Sequence, residues 1–126
     1  MIVLDASVLI ALLDPADALH TAARAALARH AGEDLKLPAS AYAESLVGPA
    51  RRGQLAAAKQ AIAALLLDIV PITGLVAEEA AGLRAQHPSL RLPDALVVAT
   101  GSVLRAAVVL TGDARWRGLA PSISVL

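Results

Sequence analysis

Four carboxylates stand out in this sequence by their positions. Asp5 closes the short apolar run Met1-Ile2-Val3-Leu4, and Asp113 follows a second run, Val108-Val109-Leu110, after Thr111-Gly112. Asp94 falls in the first turn of a helical stretch opened by Leu92-Pro93, and Glu44 lies inside an otherwise mostly apolar helical segment. Open α/β sheets bind ligands at the carboxyl ends of their strands, so a parallel sheet would bring Asp5 and Asp113 together. Carboxylates that share a cleft repel one another, and some take up protons unless a cation neutralises them. Oxygen donors of this kind suit Mg²⁺, which keeps several of its waters, and Mn²⁺ accepts the same donors. Zinc fits poorly, because the chain has no cysteine and His20, His30 and His87 lack ligand spacing. A divalent ion can lower the pKa of a bound water and neutralise charge building on a phosphoryl oxygen. Hydrolysis of a phosphodiester needs both.

Each acid also has a plainer role to weigh. Asp5 and Asp113 are able to cap the elements that follow them, and Asp94 to complement a helix dipole. Glu44 is harder to explain. Its neighbours are Ala, Tyr, Leu and Val, which predicts burial, and carboxylates are almost never fully buried unpaired. Arg51, seven residues on, is too far along the helix for an adjacent-turn pair. Ser7 and Thr111, each two residues from a key Asp, could hydrogen-bond a water or a phosphate oxygen, or act as ordinary caps. Arginine far outnumbers lysine, and Arg51, Arg52, Arg115 and Arg117 are the candidates for contacts to a nucleic-acid backbone, weighed against simple surface charge.

The elements that must position these groups alternate. Ile2 to Leu4 reads as a buried strand and Ser7 to Leu13 as a short helix. Asp14 as N-cap and Pro15 as first residue predict a helix to His30. Leu35 to Leu37 is a second strand, followed by a helix that Ser40 can cap and that runs to Arg52. Gln54 to Leu67 reads as helical, with Leu55, Ile62, Leu65 and Leu66 on its apolar face. Ile69 to Ile72 is a third strand, limited by Pro71. Thr73 caps a helix to Gln86, and another helix runs from Leu92 to about Ala106. Ala107 to Leu110 is a strand, Asp113 to Leu119 a turn or brief helix, and Ile123 to Val125 a fifth strand. Strands alternating with helices mean a parallel sheet covered on both faces, in one domain spanning residues 1–126.

Composition bounds the rest. The 126 residues hold no Phe, one Tyr and one Trp, so the core is aliphatic; Tyr42 is expected in it, and Trp116 against the sheet or at a dimer seam rather than stacked on a base. Acids and bases balance at a net charge of zero, unlike a strongly basic nucleic-acid binder. Pro93, Asp94 and Arg105 interrupt the longest apolar stretch within less than the ~20 residues of a membrane span. There is no basic leader, and cytoplasmic residence is the expectation.

Taken in order, Ile2-Val3-Leu4-Asp5-Ala6-Ser7-Val8-Leu9, Ala43-Glu44, Leu92-Pro93-Asp94-Ala95-Leu96-Val97-Val98-Ala99-Thr100 and Leu110-Thr111-Gly112-Asp113-Ala114-Arg115-Trp116 resemble a PIN-domain ribonuclease, most closely a VapC-type toxin of a bacterial toxin–antitoxin pair. The likeness covers nearly the whole chain. It implies a three-layer α/β/α sandwich around a central parallel sheet. It also implies a metal-dependent endoribonuclease with Asp5, Glu44, Asp94 and Asp113 around Mg²⁺ or Mn²⁺. Asp5, Asp94 and Asp113 would ligate the ion directly, Glu44 would bind it through water or orient the attacking water, and Ser7 and Thr111 would support the site. A homodimer, a cognate antitoxin whose C-terminal segment enters the groove, and structured RNA (tRNA or rRNA) as target are further implications. Some members carry another acid after the last motif. Here Ala114, Arg115 and Trp116 stand there, which implies one firm metal site and one that depends on substrate. A haloacid-dehalogenase-type phosphatase would need a second Asp where Ser7 stands, and a receiver-like domain would need a lysine after the last strand. The remaining alternative is a PIN-like interaction module without catalysis.

Overall fold

The computed structural model describes residues 1–126. Five strands form one sheet: β1 (Ile2–Leu4), β2 (Leu35–Pro38), β3 (Asp68–Val70), β4 (Val108–Thr111) and β5 (Ile123–Val125). Six helices connect them: α1 (Ala6–Leu13), α2 (His20–Arg29), α3 (Ala39–Arg51), α4 (Leu55–Ala63), α5 (Gly74–Gln86) and α6 (Leu92–Val103). A 3₁₀ turn at Ala114–Trp116 precedes β5. All pairings are parallel, in the order β3-β2-β1-β4-β5. The chain starts in the middle of the sheet, moves outward through β2 to β3, and returns to β4 on the other side of β1. Right-handed crossovers on the two sides of β1 place their helices on opposite faces, which gives the three-layer α/β/α sandwich expected from the sequence.

That strand order fixes where a ligand would sit. The connections leaving β1 and β4 diverge at their carboxyl ends, which is the switch point where open α/β sheets bind ligands. Register aligns Leu4 with Leu110, so Asp5 and Thr111 emerge side by side. The strands are apolar on both faces because both faces are covered. Ile2, Val3, Leu4, Val109 and Leu110 are all buried, with Trp116, Leu9 and Leu37. Gly101 lets α6 lie directly on β4, since a Cβ there would stand 2.2 Å from Val109 Cγ2. A smaller cluster of Val76, Ala80, Leu90, Ala95 and Ala99 joins α5 to α6.

Several boundaries differ from the sequence expectation, each for a local reason. The second helix starts at His20, not Pro15. Asp14 accepts from Ala16 N (2.9 Å) and Asp17 from Leu19 N (2.8 Å), so these side chains hold turns instead of opening a helix. Ser40 caps nothing: α3 starts at Ala39, and the Ser40 hydroxyl is buried without a partner. Helix α4 ends at Ala63, and Leu66 adopts a left-handed φ of 54° and is 89% exposed, not part of an apolar helix face. Strand β3 begins at Asp68 and stops before Pro71. Helix α6 ends at Val103, where Arg105 turns left-handed, Ala106 N donates to Gly101 O (2.9 Å) and Arg105 N to Ser102 O (3.1 Å). Together these form a Schellman stop.

Candidate functional site

Asp5 is the hinge of the switch point. It is 6% exposed and serves as the N-cap of α1, with Oδ1 accepting from Ala6 N at 2.8 Å. Its Oδ2 accepts from Ser7 Oγ at 2.5 Å and from Thr111 Oγ1 at 2.9 Å. The two hydroxyls in turn accept backbone N–H groups from the β4 side. Ser7 Oγ accepts from Gly112 N (2.9 Å), and Thr111 Oγ1 from Asp113 N (3.1 Å). Ser7 and Thr111 therefore tie the loop after β4 to the end of β1 through Asp5. Burial pushes the Asp5 carboxyl above its ordinary value. The hydrogen bonds from Ser7, Thr111 and Ala6 oppose that rise, and the Asp94 charge adds to it.

Asp94 is buried in the first turn of α6, and Arg91, just before the helix, grips it with Nε to Oδ2 at 3.2 Å and Nη2 to Oδ1 at 3.3 Å. Asp113 opens the 3₁₀ turn. Its Oδ1 accepts from Arg115 N at 2.9 Å, and Arg115 Nη2 donates to Oδ2 at 2.6 Å. The Arg115 guanidinium holds the Asp113 carboxyl below its usual range.

Glu44 is not buried, contrary to expectation: Ala41 and Ser45 form the buried face of α3, and Glu44 is exposed beside it. Its carboxyl is still partly shielded from water. That shielding raises its pKa first, the Asp5 and Asp94 charges raise it further, and Arg91 opposes them. The charges of Asp5, Glu44 and Asp94 thus act on one another. Asp113 is tied to Asp5 through Thr111 and shares with Asp94 a cleft of about 120 Å³ that Arg91, Arg115 and Trp116 help to line, while Glu44 lines a neighbouring cleft.

No three acidic or histidine side chains stand close enough, as they lie, to hold an ion. Asp94 and Asp113 are instead engaged by arginines. The donor set is nonetheless all oxygen, which suits a hard divalent cation once the guanidinium groups move aside.

The arginines named from sequence divide. Arg115 belongs to the site. Arg52 lines a cleft of about 420 Å³ together with Glu44, Ile10 and Leu13. Arg51 and Arg117 are exposed and form no ion pair. Arg91 was missed, although its place three residues before Asp94, across a helix start, is a readable pairing distance. Of the histidines, His20 Nδ1 lies 2.7 Å from Ala11 O and joins α2 to α1, while His30 pairs with Glu33. Trp116 is part of the core, and Tyr42 is half-buried against the same cluster. No helix is long and apolar enough to cross a membrane.

The family described as PIN domain matches residues 2–120 of this chain. No curated protein matches it. Among solved structures it is similar to a toxin–antitoxin complex from Klebsiella pneumoniae, with 23% identity over 99% of this chain and 97% of that one, and a TM-score of 0.82. It is also similar to VapC20 of Mycobacterium tuberculosis, described as a sarcin-ricin loop cleaving toxin, with 21% identity over 95% and 97% of the two chains and a TM-score of 0.74. A third is FitAcB from Neisseria gonorrhoeae, with 25% identity over 90% and 88% and a TM-score of 0.71.

Proposed function

This chain belongs to the PIN-domain family, and on that premise we propose that it is a metal-dependent endoribonuclease, the toxin of a type II toxin–antitoxin pair. The observation that carries the reading is the placing of Asp5, Asp94 and Asp113 at the sheet's switch point, with Asp5 bonded to Thr111, Asp94 and Asp113 lining one cleft, and Glu44 within range of the Asp5 and Asp94 charges. Asp5, Asp94 and Asp113 would hold Mg²⁺ or Mn²⁺. The ion's contribution when bound is to acidify water and to offset charge on the phosphoryl oxygens. Ser7 and Thr111 fix the Asp5 carboxylate in one orientation. Glu44, with its raised proton affinity, orients the attacking water and accepts its proton. No histidine stands among these acids to activate a ribose 2′-hydroxyl, so water attack in line with the leaving oxygen is the consistent route. It leaves a 5′-phosphate and a 3′-hydroxyl. A structured RNA such as tRNA or rRNA is the substrate class, since the chain has almost no aromatic rings on which to stack unpaired bases.

The partners follow from the same reading. The cleft lined by Ile10, Leu13, Glu44 and Arg52 is a suitable seat for an antitoxin segment, and the solved neighbour from Klebsiella pneumoniae is a toxin–antitoxin complex. We assign the protein to the cytoplasm and expect a homodimer. The second reading is a PIN-like module without catalysis, favoured by the arginines that now occupy Asp94 and Asp113.

Cleavage of a folded tRNA by metal-stripped protein, with Mn²⁺ added back, decides between them. Wild type should cut only with the ion, and Asp5→Asn should lose roughly a hundredfold or more in rate. Undiminished cutting by stripped Asp5→Asn would remove the proposal, and 5′-phosphate ends in cells expressing wild type but not Asp94→Ala would support it.

A further inference from the structure

The Asp94 and Asp113 carboxylates each face a guanidinium, and the two pairs share one cleft. Arg91 contacts both oxygens of Asp94, and Arg115 contacts both oxygens of Asp113. The side chains of Arg91 and Arg115 are 67% and 77% exposed, whereas those of their partners are 11% and 21% exposed. The carboxylates are therefore set into the protein, and the cations lie over them from the solvent side. Each arginine is paired with a near neighbour in sequence, three and two residues away, so releasing it breaks no long-range contact. Charges reach across as well: Arg91 feels Glu44 and Arg115, and Arg115 feels Asp94.

We propose that Arg91 and Arg115 are internal counter-ions that compete with a divalent cation for Asp94 and Asp113 and are drawn off onto the phosphates of a bound RNA strand. This rests on the reading of the acids as a cation site. Ion pairs made by exposed arginines are weak, so a dication or a polyanion can displace them. A guanidinium fork fits phosphate as well as carboxylate, and a phosphate that engages the forks leaves both carboxylates open. Cation and RNA binding are then coupled with positive sign, and by linkage each strengthens the other. In the free protein the counter-ions hold the site in a low-affinity state, and RNA itself completes it.

The test is Mn²⁺ alone, titrated into metal-stripped protein at low salt, with unbound Mn²⁺ followed by its electron paramagnetic resonance signal. Arg91→Gln and Arg115→Gln should each bind Mn²⁺ about three- to tenfold more tightly than wild type, and the double variant more tightly still. Arg29→Gln removes the same charge at the far end of α2 and should change nothing. Both arginines are exposed, so the variants are expected to fold, which unchanged circular dichroism and melting check. Equal affinity in wild type and both arginine variants would overturn the counter-ion role while leaving the cation site standing. The same gain from Arg29→Gln would overturn it as a net-charge effect. Absence of binding in wild type and double variant alike, at millimolar Mn²⁺, would overturn both readings.

Discussion

At Asp5 two influences act on one carboxyl group. Burial favours the protonated form, and three hydrogen bonds favour the ionised one; burial is the larger, so the folded-state pKa lies above the ordinary 3.8. Between those two values the folded protein holds a proton that the unfolded chain has lost, so metal-free stability falls as pH rises through that window. Asp113 has the opposite sign: its lowered pKa gives stability that is present above 3.8 and lost as pH falls through the folded-state value. Urea midpoints of wild type and Asp5→Asn, compared from pH 3 to 7 without metal, isolate the first effect. The stability of Asp5→Asn relative to wild type should increase as pH climbs above 3.8 and then level off, whatever the offset at low pH. A flat difference would mean that the hydrogen bonds cancel the burial. Asp5, Asp94 and Asp113 were legible because each stands where a strand ends or a helix starts. The exposure of Glu44 was not, since the buried line of α3 runs through Ala41 and Ser45, flanked by the half-buried Tyr42 and Leu46, and leaves Glu44 to one side.

Among the elements, interiors were easier to read than ends. All five strands and six helices occur where hydrophobic runs and periodicity placed them. The errors lie at Asp14, Ser40, Leu66 and Arg105, where a side chain bonds to a nearby backbone group, stays buried without bonding, or follows a left-handed turn. Such turns usually favour glycine, and neither Leu66 nor Arg105 announces one. Helix α6 offers a test at each of two points. Replacing Gly101 by alanine drives a methyl carbon into Val109 of β4 and should cost about 1–3 kcal/mol. Replacing Arg105 by glycine relieves a left-handed residue at the Schellman stop and should stabilise by about 0.5–1 kcal/mol. Chemical denaturation measures both. A neutral Gly101→Ala would show that α6 can shift on the sheet, and with it Asp94. Arg105 takes no part in the site, so cleavage by Arg105→Gly should equal that of wild type.

The molecule as a whole exposes more surface than its mass requires. Its accessible area is 6852 Å², against roughly 6,300 Å² for a folded monomer of 12.8 kDa. On the apolar helices α3 and α4, Val47 and Leu55 are exposed. A denser group lies just beyond, from the end of α4 through the edge strand β3 to the start of α5. Leu66 is 89% exposed and Leu75 67%, with Ile69 and Ile72 also open to solvent. Strand β3 is paired on one side only, and an unpaired edge flanked by leucines invites a second chain. This segment is therefore the expected homodimer contact. Sedimentation equilibrium should give twice the chain mass for wild type and the single-chain mass for Leu66→Glu combined with Leu75→Glu. Both residues are exposed, so the double variant should keep its circular dichroism and its Mn²⁺ binding. A variant that stays dimeric moves the contact to α3 and α4, where Val47→Glu with Leu55→Glu is the matching probe, and a monomeric wild type removes the dimer altogether.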